Sequence, residues 1–224
     1  MLRYAPGAPE APLLRRKHAR GVIGSGTGQD ITTDLFAYWK FDETSGTTAA
    51  DSSGNGNTLN VSYTSFVPAK INNGLELDAV GYPQFPSFGE TGDITIAFWA
   101  KPVTLTNTAL MIFIGNYSNL APCINCVTGV VGFCAQEYFE PTLLSNYEIT
   151  TTDFVHIALV RKDTTIYLYI NGSLNATLTD APSLSGPFNY IGCSGGQVCI
   201  LDELRLYTRA LTAPQIAAVY AYAG

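Results

Sequence analysis

What constrains this chain most is how often it turns. From Leu35 onward, short runs of aromatic and β-branched residues alternate with turn residues at a spacing of about 8–12 residues. LFAYWKF at 35–41 ends in a polar turn, and DITIAFWA at 93–100 alternates so that Ile94, Ile96 and Phe98 share one face. FVHIALVR at 154–161 and TTIYLYI at 164–170 are separated by Lys162 and Asp163, a hairpin-length gap. Asn171-Gly172 is a strong turn signal before SLNATLT, and VCILDELRLY at 198–207 is a further long strand. A chain written this way folds as an antiparallel β-sandwich. Only the end reads as helix. Thr212 and Gln215 have capping-box spacing, and Ile216, Val219 and Tyr220 share one helical face.

Hydrophobic residues make up 46% of the 224, enough for a large core, while charged residues make up only 13%. Lysine and arginine are too sparse for a folded nucleic-acid binder, so no nucleic-acid partner is expected of the folded domain. No run approaches the ~20 apolar residues that cross a bilayer, so no membrane insertion is expected.

The first 33 residues differ from the rest. They are rich in Pro, Gly, Ala and Arg, and read as an extended arm (1–33) before a single globular domain (34–224). Within residues 1–20, five basic side chains face one acid, a net +4; the remainder must carry −10 for the chain to reach −6. A basic leader on an acidic body suggests docking on something acidic, such as another subunit. Tyr4, Leu13 and Leu14, with Val22 and Ile23, are its apolar anchors; Arg15, Arg16, Lys17 and Arg20 supply charge. A solvated tail is the plainer reading. The opening MLRYAPGAPEAPLLRRKHAR has prolines where the apolar stretch of a secretory signal should run. The five cysteines and the Thr/Asn/Tyr-rich surface nevertheless look extracellular.

Five segments, in order, carry a resemblance. They are AYWKFDETSGTTAADSSGNGNTLN (37–60), GLELDAVGYPQFP (74–86), ITIAFWAKP (94–102), DFVHIALVRKDTTIYLYINGSL (153–174) and ILDELRLYTRALTAPQI (200–216). Together they resemble laminin-G-like domains of the concanavalin-A-like lectin and glucanase superfamily, with Phe154 where the family's hairpin usually has Trp. The resemblance implies a jelly-roll-like pair of curved antiparallel sheets over about 35–220. It leaves 103–150 without a counterpart, as an insertion of loops and strands. A fold of this kind serves binding modules, glycosidases and surface proteins alike, so it does not fix a function.

Glycoside hydrolysis needs two carboxylates across a cleft. The resemblance points to a Glu-x-Asp strand, but Glu76-Leu77-Asp78 is followed by Ala79, Val80 and Gly81, so the second glutamate is missing. Asp202 and Glu203 are adjacent, which on a regular strand sends them to opposite faces. His156 reads as a hydrogen-bonded strand residue rather than a base. No catalytic residue is assigned, and the chain is expected not to be an enzyme.

Asp202 shares parity with Val198, Ile200, Leu204 and Leu206, so it should lie on an apolar face and need a partner. Structural calcium is one solution, with Asp42, Asp51, Asn55, Asn57 and Asp202 supplying oxygens; the resemblance also implies calcium nearby. The other is a metal-free loop held by Asx hydrogen bonds. Cys193 and Cys199 flank a short segment that suits a hairpin disulfide, while Cys123, Cys126 and Cys134 allow a second bridge with one thiol over. Zinc on the Cys123-x-x-Cys126 spacing is the alternative. Tyr82, Phe85, Tyr117 and Tyr138, with Phe88 and Phe139, lie in loop-like sequence where aromatic faces could stack on sugars.

Three functions follow. The first is a non-enzymatic structural or decoration subunit of an extracellular assembly such as a virus particle. It would display the sandwich, contact other protein subunits through the arm and sit outside the cell or on the virion surface. The second is a carbohydrate-binding or adhesion module with glycans as partners. The third is a glycosidase.

Overall fold

A computed structural model describes residues 28–78, 81–88, 92–104, 110–115, 121–125, 130–134, 141–181, 188–193 and 198–222. Along the chain run β1 (Leu35–Trp39), β2 (Thr48–Ala49), β3 (Leu59–Asn60), β4 (Ser65–Pro68), β5 (Asn73–Leu77), β6 (Gln84–Phe88) and β7 (Ile94–Pro102). There follow β8 (Leu110–Gly115), β9 (Ala121–Asn125), β10 (Val130–Cys134), β11 (Pro141–Glu148) and β12 (Val155–Lys162). The last elements are β13 (Thr165–Ile170), β14 (Ser173–Leu178), β15 (Phe188–Cys193), β16 (Cys199–Tyr207) and the helix α1 (Ala213–Ala221).

The strands form two eight-stranded antiparallel sheets. One has the order β14-β13-β12-β7-β16-β5-β4, with β1 also on β16; the other is β11-β10-β9-β8-β15-β6-β3-β2. The expected sandwich and its terminal helix are therefore present. The region 103–150 is no insertion. Its four strands, β8 to β11, form one contiguous half of the second sheet.

Strand periodicity sets the core. Ile94, Ile96, Phe98 and Ala100 of β7 and Val155, Ile157 and Leu159 of β12 turn inward, joining Trp39, Leu59, Leu75, Leu77 and Phe88 between the sheets. The hairpin predicted at Asn171-Gly172 forms, with positive φ at both residues (49° and 78°), as a type I′ turn demands.

β16 is not one regular strand. Leu201 faces Ala100 and Asp202 faces Trp99, but the register with β7 resumes only at Arg205–Ala97. One extra residue is inserted, and Glu203 takes a φ of 55° to accommodate it. The bulge marks a change of neighbour: Cys199–Leu201 pair with β5, while Leu204–Tyr207 pair with β1. It also reverses the parity. Cys199 and Leu201 face the core before it, Leu204 and Leu206 after it. The alternation that put Asp202 on the same face as Leu204 and Leu206 is thus broken.

The outer face of the first sheet is covered in part by α1. Ile216, Ala218 and Val219 pack on Ala97, Ala158, Val160 and Tyr207. Each large side chain buried there contributes about 1.5–3 kcal/mol. Gln215 Oε1 accepts from the backbone N–H of Thr212 (2.9 Å), completing the reciprocal half of the capping box. Gln215 Nε2 (2.8 Å) and Arg209 Nη2 (3.0 Å) both donate to the carbonyl of Asp30. Ile31 is buried in the same layer, and Tyr207 donates its hydroxyl to the Ile31 carbonyl (3.0 Å). The boundary between arm and body therefore falls before residue 30, not at 33, because residues 30–33 dock on their own sandwich. Tyr4, Leu13, Leu14, Arg15, Arg16, Lys17 and Arg20 lie outside the described residues.

Candidate functional site

The loop after β2 is organised by one carboxylate. Asp51 Oδ1 accepts from the amides of Tyr38 (3.0 Å) and Ser53 (2.9 Å); Oδ2 accepts from Ser53 Oγ (2.8 Å) and the Asn57 amide (2.9 Å). Burial works to raise the Asp51 pKa, but these donors win and hold it below the ordinary value. The neighbouring amides serve the same loop. Asn55 Nδ2 donates to the carbonyls of Leu35 (2.7 Å) and Phe36 (3.0 Å), and Asn57 Nδ2 to that of Phe36 (2.8 Å). Trp39 Nε1 closes the loop by donating to the Asn57 carbonyl (2.7 Å).

Pinned this way, the loop forms one wall of a cleft of about 360 Å³, with the start of β1 and the end of β16 as the others. Asp34, Ser53, Asn55, Thr32 and Thr208 line it with carboxylate, amide and hydroxyl groups, beside Phe36. Asp34 is exposed and sits in the left-handed region (φ 56°). Its contribution was missed in the sequence because it borders the Pro/Gly-rich arm rather than a recognisable motif.

A second polar cluster lies on the outer face of the first sheet. His156, Trp99 and Asp202 occupy matching positions on β12, β7 and β16, a row across three adjacent strands. All three are buried. Tyr220 of α1 lies over the row, its ring centroid 5.3 Å from Trp99 and 5.6 Å from His156. Lys70 Nζ stands 4.6 Å above the Trp99 ring. The bulge brings Glu203 to this face as well, against the expectation that it would oppose Asp202. Glu203 accepts from the Tyr38 hydroxyl and from Arg205 Nη2 (2.6 Å), and the Arg205 guanidinium lies between the rings of Tyr38 (4.0 Å) and Tyr222 (4.7 Å).

These groups titrate abnormally. Burial pushes Asp202 up to about 7; the Ile71 amide and, more weakly, the Glu203 amide oppose this, and the charges of Glu203 and Asp42 add to it. Burial, with some repulsion from Arg205, lowers His156 to about 3. His156 is hydrogen-bonded through its backbone to Asn171, as expected of a strand residue, but neither ring nitrogen has a hydrogen-bond partner among the described residues. Tyr38 is raised chiefly by burial.

The oxygens expected to bind calcium divide into two groups. Asp51, Asn55 and Asn57 engage the loop and β1, which is the Asx arrangement. Asp42 and Asp202 repel each other, and each keeps one buried oxygen, Oδ1, without a hydrogen bond to a described residue. Such oxygens suit a hard cation. No three His, Cys, Asp or Glu side chains gather as a metal cage among the described residues.

The other expectations fare unevenly. No disulfide joins Cys193 and Cys199; both are buried. They end β15 and begin β16, which belong to opposite sheets, so the hairpin the bond was to staple does not exist. Cys123 and Cys134 lie on the paired strands β9 and β10, and Cys126 lies outside the described residues. Phe85 is not a loop residue: it is buried on β6 with its ring 5.6 Å from Trp39, and Phe88 is buried on the same strand. Tyr82 is half-buried; Tyr117, Tyr138 and Phe139 lie outside the described residues. Glu76 is half-buried on β5, and Asp78 follows directly after it.

Comparison with known proteins starts from this geometry. The binding domain of Paraclostridial Mosquitocidal Protein 1 superposes with a TM-score of 0.69 at 15% identity, over 85% of this chain and 52% of its own. Domain 4 of AbnA, a GH43 extracellular arabinanase from Geobacillus stearothermophilus solved in complex with arabinotriose, gives 0.65 at 21%, over 84% of this chain and 98% of its own. The botulinum neurotoxin serotype D ligand binding domain, in complex with N-acetylneuraminic acid, gives 0.66 at 16%, over 84% and 51%. The chain thus spans about half the length of these toxin domains. At such identities the likeness shows the fold. No curated protein sequence matches the chain. The profile described as Concanavalin A-like lectin/glucanases superfamily matches residues 72–217, more than half of the chain. This chain belongs to that superfamily.

Proposed function

We propose that this chain is a non-catalytic glycan-binding module that works outside the cell. The observation that carries the reading is the cleft beside the Asp51 loop. There a carboxylate, an amide and three hydroxyl side chains converge. The hydrogens of Thr32, Ser53, Asn55 and Thr208 are donated within the protein, so the cleft presents chiefly acceptors, which suit the donating hydroxyls of a sugar. The arabinanase domain supports it, being matched along nearly its whole length and holding a trisaccharide. Glycan-array screening, followed by calorimetry on the best hits, tests the reading. Asp34→Asn tolerates the left-handed backbone and removes the charge; it should weaken binding at least tenfold. Unchanged affinity would remove the cleft from consideration.

A second reading is favoured by the basic leader on an acidic body. In it, the module is displayed as a structural or decoration subunit of an extracellular assembly, a virus particle among the candidates, and residues 1–27 dock on neighbouring subunits. Removing 1–27 spares the docked residues 30–33 and should leave a folded body that no longer incorporates. Normal incorporation would eliminate this reading. A structural calcium ion on Asp42 and Asp202 is compatible with both.

A further inference from the structure

We infer that the groove between β13 and the first turn of α1 is a second sugar site, one that takes a single neutral pyranose ring. The inference rests on the glycan-binding reading and concerns a place apart from the Asp34 cleft. On β13, Ile166, Leu168 and Ile170 face the sandwich core, so Tyr167 and Tyr169 both present to the outer face. The helix covers that face only in part. Where its first turn begins, at Thr212 and Ala213, a cavity of about 260 Å³ remains. Tyr169 is buried in its floor and Tyr167 is a half-buried wall. The volume falls just under the range of about 300–1,000 Å³ typical of drug-sized ligands, which suits one ring rather than a chain of them.

The lining also selects a class of occupant. A tyrosine face offers an apolar, electron-rich surface to the C–H side of a sugar ring. Asp93 and Lys162 both line the groove, one a hydroxyl acceptor and the other a donor. Asp93 Oδ1 is held by the Asp163 amide (2.8 Å), which fixes the carboxylate and leaves its other oxygen for a ligand. Lys162 is exposed and forms no ion pair with a described residue. One acid and one cation leave the lining close to neutral, so it favours an uncharged sugar over a sialic or uronic acid. The hydroxyl of Thr212 donates to Gln215 Oε1 (3.0 Å) and adds a further acceptor to the lining.

The test uses the full chain with ¹³C-labelled tyrosine rings. Methyl β-D-galactopyranoside, methyl β-D-glucopyranoside, methyl α-D-mannopyranoside and methyl N-acetyl-β-D-glucosaminide are titrated in turn. At least one should shift the Tyr167 resonances saturably. Tyr167→Ala and Lys162→Glu should each weaken that binding at least tenfold, and Tyr167→Phe should preserve it, because the ring and not the hydroxyl makes the stack. Asp34→Asn should leave the Tyr167 shift unchanged. If none of the four sugars moves Tyr167 while the glycan array registers binding, the groove is refuted and the glycan-binding reading survives. If Tyr167→Ala fails to fold, the exposed Lys162→Glu decides alone, and unchanged affinity there overturns the groove. No binding on the array at all would take down both.

Discussion

The loop at 51–57 and the bulge at 202–205 each bring a carboxylate against β1 or its neighbours, and they treat it in opposite ways. Asp51 receives four hydrogen bonds, two on each oxygen, and its pKa falls. Asp202 receives the Ile71 amide on one oxygen, keeps the other without a hydrogen bond, and rises to about 7. Burial opposes ionisation at both places. The difference is the number of donors the backbone can aim at the group, and that follows from local shape. A Gly/Ser/Asn loop can curl its amides around a carboxylate, whereas a strand has already committed its amides to its neighbours. One acid has become scaffold; the other remains available to a proton or a cation.

The largest expected effect comes from removing the scaffold acid. Asp51→Ala leaves the amides of Tyr38, Ser53 and Asn57 without their acceptor and should cost about 3–5 kcal/mol in urea unfolding. A loss below about 1 kcal/mol would show that water replaces the carboxylate and that the loop does not depend on it.

Next is the pH dependence. Asp202 has a folded pKa of about 7 against 3.8 for the ordinary group. Between those values the native state holds a proton that the unfolded chain has lost, so its contribution falls as pH rises from about 4 to 7. His156 has a folded pKa of about 3 against 6.5. There the unfolded chain holds the proton, so its contribution rises with pH across about 3 to 6.5. The two slopes oppose each other, and the unfolding free energy of the unmodified protein should change little between pH 4 and 6.5. Asp202→Asn should expose the rising slope and His156→Gln the falling one, each by up to about 4 kcal/mol. Matching flat profiles for both variants would mean that neither group titrates as its burial suggests.

A smaller effect should come from calcium. If Asp42 and Asp202 hold the ion, added calcium should raise the melting temperature by a few degrees at pH 8 and less at pH 5.5, where protons compete. Chelator should reverse the change, and Asp202→Asn should abolish it. An identical melt with and without chelator, with no metal found on elemental analysis, would leave the two oxygens to water. The smallest effect is expected from removing residues 1–27. That should shift the body's melting temperature by no more than about 1 °C, whereas extending the deletion through residue 33 removes buried Ile31 and should cost about 1.5–3 kcal/mol.

How legible these regions were in the sequence depends on what writes each one. The strands of β7, β12, β13 and β16 stood out because alternation is a property of consecutive residues. The Asp51 loop stood out because its turn residues are contiguous. The bulge did not, since Glu203 carries no turn signature and a single inserted residue shifts every later position to the other face. β6 was hidden by Pro83 and Pro86, which ordinarily argue against a strand, so buried Phe85 looked like a loop residue. Sheet membership was hidden too. Nothing local to Cys193 and Cys199 tells that the chain crosses from one sheet to the other between them. The cleft at Asp34 and the groove at Tyr167 each join residues far apart in the chain, and no motif records such a meeting.

The clasp at Asp30 has a further consequence. Its carbonyl is gripped from the helix's first turn by Gln215 and from the end of β16 by Arg209. The body is therefore entered beside the place where its last element begins, and a nine-residue helix reaches only about 13 Å beyond that point. A host protein could carry the domain in a surface loop with short connectors, and a circularly permuted version that joins residue 222 to residue 28 and opens at Asp163 should fold to the same sandwich.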